Sequence, residues 1–175
     1  MLSINKKKIT EDLIDTFLTA GDLSLSLRKK GLTKNIKSDN TPVSNGDIEV
    51  NKLITKKILK LTQNIPIISE ETPNNKTKEN LKDFWLIDPI DGTSDYINDG
   101  EEFTINAALI ENKKPSIGLI CAPAKKRMFY SYGPEKSFEL KSGKEFNLNH
   151  YQSDNSRPLK FVSYSNKLKP EIEKI

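Results

Sequence analysis

Ten residues, FWLIDPIDGT at positions 84–93, limit what this chain can fold into more than any other stretch. Phe84, Trp85, Leu86 and Ile87 form a run too apolar to leave in water, and Pro89 restricts Asp88 to an extended backbone. The run is therefore predicted to be a buried strand that delivers an acid at its C-terminal end. Asp91 follows three positions later, and then Gly92 and Thr93. Two unit charges ~4 Å apart cost roughly 4 kcal/mol at an effective dielectric of about 20. A fold that sets two aspartates at the end of a strand needs something there to offset their repulsion.

The rest of the pattern predicts a layered α/β (α+β) fold with a largely antiparallel sheet and flanking helices. Between Ile9 and Lys30, the residues Leu13, Ile14, Phe17, Leu18, Gly21 and Leu25 fall on one helical face, and Gly31 supplies a stop. After the polar stretch NIKSDNTPVSNGD (35–47), Ile48, Val50, Leu53, Ile54, Ile58 and Leu61 recur at helical spacing, so a second helix starts close to Asp47. IPIIS (65–69) is short, β-branched and bounded by turn formers, which predicts a buried strand ending at Glu70 and Glu71. Downstream of the acidic run, FTINAALIE, SIGLICA, RMFYSY and SFEL alternate with turn-like NKKP and YGPEK, the signature of an antiparallel meander. LKFVSYS (159–165) reads as one more strand and KPEIEKI (169–175) as the opening of a helix.

A chain of 175 residues can bury one real core. Its net charge of +4 comes from lysines scattered among acids, with only Arg28, Arg127 and Arg157 as arginines. No arginine cluster interleaved with aromatics is present, so a nucleic-acid polymer is not the expected partner. A lysine-rich surface still favours an anionic small molecule. Cys121 is the sole cysteine and His150 the sole histidine, far apart in sequence and in dissimilar surroundings, which sets aside Cys–His chemistry. The absence of an intrachain disulfide, of a signal-peptide segment and of a membrane-length apolar run predicts a cytoplasmic protein with no membrane span.

Asp47, Glu70, Glu71, Asp88 and Asp91 all fall at predicted element boundaries. In a layered α/β arrangement the ends of neighbouring strands converge on one rim. Oxygen-only donors without histidine or thiol select Mg²⁺ or Mn²⁺ over zinc. Gly92 lets the backbone come close to a ligand, and the turn after it can offer amides to a phosphate. Each piece also has a structural reading: Ser44-x-x-Asp47 fits a capping box, Glu70 and Glu71 fit loop charges, and DPIDGT fits a polar turn. The Asp-x-Asp-Gly-Thr signature of haloacid dehalogenase-type phosphatases has one residue between its acids, whereas Asp88 and Asp91 are separated by two. They do not fit that nucleophile and acid pair.

WLIDPIDGT, with SEET (69–72) and DNTPVSNGD (39–47) upstream, resembles the lithium-sensitive, Mg²⁺-dependent phosphatase superfamily that contains the inositol monophosphatases. Within it, IPIISEET and GEEFTINAALIENKKPSIGLICAP look most like bacterial 3′(2′),5′-bisphosphate nucleotidases of the CysQ type. The resemblance implies a small-molecule phosphate ester as substrate, with 3′-phosphoadenosine 5′-phosphate hydrolysed to AMP and phosphate. It implies a first Mg²⁺ held by Glu70, Asp88 and the carbonyl of Ile90, and a second shared by Asp88 and Asp91. Thr93, polarised by Asp47, would activate the attacking water together with Glu70, without a phosphoenzyme. Asp91 and the amides of Gly92 and Thr93 would contact the phosphate, with Glu71 in a supporting place.

The chain departs from the family pattern in two places. Ser94-Asp95-Tyr96 stands where the family usually has a Lys-Glu-Phe triplet, which bears on nucleotide preference. The family's further metal-ligating aspartate, in a Trp-Asp-x-Ala-type segment, has no counterpart here. Residues 1–157 are thus expected to form the metal- and phosphate-binding N-terminal domain and 158–175 the start of a truncated second one. An inositol or other sugar phosphatase and a catalytically silent metal-binding fragment are the alternative readings.

Overall fold

In a computed structural model the described residues are 5–38, 40–72 and 81–149. Two helices pack on one face of a seven-stranded sheet. Helix α1 (Lys6–Lys30) starts where the Asn5 side chain accepts the Lys8 amide at 3.0 Å. It ends at Gly31, whose φ of +96° a side chain would disfavour. Arg28, Lys29 and Lys30 in its last turn complement the helix dipole. Leu13, Phe17 and Ala20 are fully buried, whereas Leu18 lies at the solvent edge of the predicted face, 39% exposed.

A two-stranded hairpin, β1 (Lys34–Ile36) with β2 (Pro42–Ser44), precedes helix α2 (Asn45–Leu61). The sequence had assigned this stretch to a polar connection. Its strands are short, and β1 is exposed throughout, so no buried alternation marks it. Helix α2 buries Val50, Ile54 and Ile58 against α1 and the sheet.

The large sheet runs β3 (Ile67–Ser69), β4 (Phe84–Asp91), β5 (Thr104–Glu111), β6 (Lys114–Ala122), β7 (Arg127–Ser131), β8 (Ser137–Lys141), β9 (Lys144–Asn147) in spatial order. Among the described residues only β3 and β4 are parallel, and β4 to β9 form the predicted antiparallel meander. Asn112 and Lys113, both at positive φ, make the tight turn between β5 and β6. A short helix, α3 (Thr93–Ile97), follows β4.

Two expectations need correction. Among the described residues IPIIS is an edge strand and not a buried one: β3 pairs there on one side only, leaving Ile67 and Ile68 half-buried. Pro89 does not end its strand. Beyond Ile87, whose carbonyl accepts the Glu70 amide, β3 no longer runs alongside β4, so the missing Pro89 N–H breaks no rung on that side. The strand continues to Asp91 through a register shift between Asp88 and Asp91.

Alternation along the sheet sets up the site. Trp85, Ile87, Ile105, Leu109, Ile117 and Leu119 point to the helices and are buried. Trp85 Nε1 also donates to Thr62 Oγ1 at 3.0 Å, which satisfies the indole at the end of α2. Asp88 and Asn106 belong to the opposite parity and share the outer face with Leu86 and Ile120, about half exposed. Among the described residues no helix is long and apolar enough to cross a membrane. LKFVSYS, KPEIEKI, His150 and the predicted second domain lie outside the described residues.

Candidate active site

Because β3 and β4 are parallel, their C-terminal ends reach the same rim. Glu70 and Glu71 leave β3 there, and Asp88 and Asp91 close β4. The first turn of α2 meets this rim through Asp47, and the first turn of α3 through Thr93.

Asp47 divides its two oxygens between two tasks. Oδ2 accepts from the Ser44 amide at 2.8 Å and the Ser44 hydroxyl at 2.6 Å, completing the capping box of α2. Oδ1 accepts from Thr93 Oγ1 at 3.0 Å, linking the helix start to the turn after β4. The capping and functional readings of this residue are compatible. Asp47 is only 1% exposed, so its position is fixed by these contacts. Thr93 Oγ1 lies equally close, 3.0 Å, to the Ile90 carbonyl, yet a hydroxyl has one proton to give.

Gly92 makes the turn between β4 and α3 at φ +87°, where an added Cβ would press on the backbone of Glu102 and Phe103. The five-residue helix it opens is anchored by Tyr96, which is fully buried and donates to the Ser24 carbonyl at 2.7 Å. Asp95, which stands in the altered triplet, accepts the Glu102 amide at 2.7 Å and closes the loop that follows. Its carboxylate serves the loop's own backbone.

Asp88 carries the strongest electrostatic signal of the site. Burial, then the charges of Glu70 and Asp91, push its pKa up to about 7, and hydrogen bonding with Glu70 adds to the rise. Its Oδ1 is buried and, among the described residues, has no hydrogen-bond partner. Such an orphaned oxygen costs free energy unless a cation or donor meets it. Lys37, on the hairpin loop before α2, supplies part of the compensation. Its Nζ lies 2.9 Å from Glu70 Oε1 and 2.7 Å from Glu71 Oε1. Burial opposes the lysine's charge, but its bonds to Glu71 and Glu70 outweigh that and leave its pKa raised. Burial nevertheless holds Glu71 above the usual carboxylate range despite its lysine.

The rim therefore gathers oxygen donors of the kind that suits a hard divalent cation, with mutual repulsion and an unpartnered carboxylate oxygen on Asp88. Among the described residues no three acids are already drawn together around one point as a ligand set. Lys37 holds two of them. The residues fit a divalent ion by donor chemistry and charge, and the hairpin lysine occupies Glu70 and Glu71 in its place.

Sequence reasoning missed Lys37 and Asn106. Asn106 Nδ2 donates to Asp91 Oδ2 at 3.4 Å. A signal existed for the second, since Asn106 is the only amide in an otherwise apolar-alternating strand. Lys37 is one lysine among many, and nothing local sets it apart.

This fold is that of a phosphatase superfamily. The chain belongs to the inositol monophosphatase family, whose profile it matches over residues 5–169. It is similar to a protein named 3′(2′),5′-bisphosphate nucleotidase CysQ from Haemophilus influenzae, with 29% identity over 93% of this chain and 61% of that one. A protein of the same name from Buchnera aphidicola is 32% identical, covering 97% of this chain and 65% of the relative. The solved structure of CysQ from Bacteroides thetaiotaomicron superposes with a TM-score of 0.64 at 23% identity, over 97% of this chain and 67% of that one. The chain thus spans about three fifths of the length of the curated relatives it matches.

Proposed function

We propose that the chain carries the metal- and phosphate-binding half of a cytoplasmic, Mg²⁺-dependent phosphatase that removes the 3′-phosphate of 3′-phosphoadenosine 5′-phosphate, giving AMP and phosphate. The observation that carries this reading is the buried, unpartnered Oδ1 of Asp88 amid a like-charged rim, in a chain whose relatives are named for that activity.

Phosphate monoester hydrolysis needs rate enhancements of up to about 10²¹, and one positioned base supplies only about 10²–10⁴. Divalent ions at the rim would neutralise charge on the phosphate and lower the pKa of water. Glu70, Asp88, Asp91 and the Ile90 carbonyl are the groups to hold them, with Glu71 in support. Asp47 Oδ1, fixed by the α2 cap, accepts the hydrogen bond from the Thr93 hydroxyl and so leaves a Thr93 lone pair for water. Glu70 accepts the proton that water loses as its oxygen bonds to phosphorus; the bond from phosphorus to the 3′-oxygen breaks, and the leaving oxygen takes a proton from solvent. The amides of Gly92 and Thr93, at the turn enforced by the positive φ of Gly92, donate to the departing phosphate, and Asp91 would contribute through the cation it holds. Asp88 must be ionised to bind metal, which its raised pKa makes costly without a cation.

The test is phosphate release from 3′-phosphoadenosine 5′-phosphate and from inositol 1-phosphate, with and without Mg²⁺ and Li⁺. Mg²⁺-dependent, Li⁺-sensitive release that favours the nucleotide is expected. Preference for the inositol ester would overturn the substrate assignment, and release indifferent to Mg²⁺ would overturn the mechanism.

A further inference from the structure

Asn106 lies on β5 directly opposite Asp88 on β4 and opposite Ile120 on β6. Directly paired residues on one sheet face have Cβ atoms about 4.5–5.5 Å apart. Its Nδ2 reaches Asp91 Oδ2 at 3.4 Å. The Asp91 carboxylate fixes which way the amide faces, because the reverse orientation would set oxygen against oxygen. Oδ1 is then left buried and, among the described residues, without a partner, as is Oδ1 of the facing Asp88. With Asp88 ionised, as metal binding requires, the two directly paired neighbours supply no donor, since Asp88 is then an acceptor and Ile120 is aliphatic. Two adjacent buried acceptors with no donor between them are expensive, so ionisation of Asp88 calls for a donor or cation from outside this pair.

We infer that Asn106 is a positioning residue of the phosphatase site: its amide N–H₂ orients Asp91 and its carbonyl accepts from the hydrated cation at Asp88. The inference rests on the metal-binding reading above and extends it to a residue on the neighbouring strand. Nδ2 occupies one oxygen of Asp91 and leaves the other for the ion. Oδ1 offers an uncharged acceptor where another carboxylate would deepen the repulsion already raising Asp88. Outer-shell groups of this kind typically contribute about 10–100-fold to metal affinity.

The experiment measures Mn²⁺ binding by calorimetry, and melting temperature without metal, for the chain and for Asn106→Leu and Asn106→Ala. Leucine keeps the volume and removes both polar groups, and alanine guards against failure of leucine to fold. The expected result is Mn²⁺ affinity weaker by about 10–100-fold in both variants, with metal-free melting temperatures near that of the parent. Unchanged affinity in a variant that folds overturns the inference while leaving the proposed function standing. A loss of affinity matched by a large loss of metal-free stability would assign Asn106 a structural role and also overturn it. Failure of the parent itself to take up Mn²⁺ would bring down both readings.

Discussion

Two pairs of adjacent glutamates in this molecule are each clamped by a single lysine, and they behave differently. On the turn between β6 and β7, Lys125 Nζ lies 2.9 Å from both Glu101 and Glu102 of the loop before β5, whose side chains are 65% and 73% exposed. At the end of β3, Lys37 lies 2.9 Å from Glu70 and 2.7 Å from Glu71, and the Glu71 side chain is only 6% exposed. Distances are nearly equal, yet Glu101 is held below the usual carboxylate range and Glu71 above it. In the first pair the hydrogen bond to lysine prevails, and in the second burial does, aided by the charges of Asp47 and Glu70. One lysine satisfies a solvated pair. It does not satisfy an acidic rim that also includes Asp47, Asp88 and Asp91, and this unmet charge separates a site from a surface contact.

That contrast can be broken by pH. The folded chain keeps a proton on Asp88 up to about 7, whereas an unfolded aspartate loses it near 3.8. Between these values the folded state binds more protons, so metal-free stability must fall as pH rises from about 4 to about 7. Melting temperature against pH is expected to show this decline in the parent and to flatten in Asp88→Asn. Equal slopes in both would place the repulsion elsewhere. A smaller effect sharpens the same comparison. Lys37→Met is expected to lower the metal-free melting temperature by about 2–4 °C, the shift of a change near 1 kcal/mol at this chain size. Lys125→Met should leave it unchanged, as exposed pairs usually do. Saturating Mn²⁺ should close the Lys37 gap, and a gap that persists would mean the lysine does not stand in for a cation.

Much of this was legible in the sequence wherever burial imposes a period. The faces of α1 and α2, the meander from Phe103 onward and the acids at strand ends follow from the spacing of apolar residues. The β1–β2 hairpin was not legible, because β1 is exposed and no alternation records it. Lys37 was hidden with it, since its partners are more than thirty residues away. Pro89 was misread as a strand end because the sequence does not say where the neighbouring strand stops. Asp47 was read as either cap or site residue, and only coordinates could show that a carboxylate has an oxygen for each. The outer-face pairing of Asp88 with Asn106 depends on the register of β4 and β5 across the intervening α3 and loop, which strand-by-strand reading does not reach.

The central claim is that divalent cations relieve the acidic rim, and calorimetric titration of Mn²⁺ at pH 6 and pH 8, in buffers of different ionisation enthalpy, tests it most directly. The account predicts uptake at both pH values, with proton release at pH 6 that fades by pH 8 and disappears in Asp88→Asn along with most of the affinity. Absence of uptake, or uptake identical in Asp88→Asn, would contradict it.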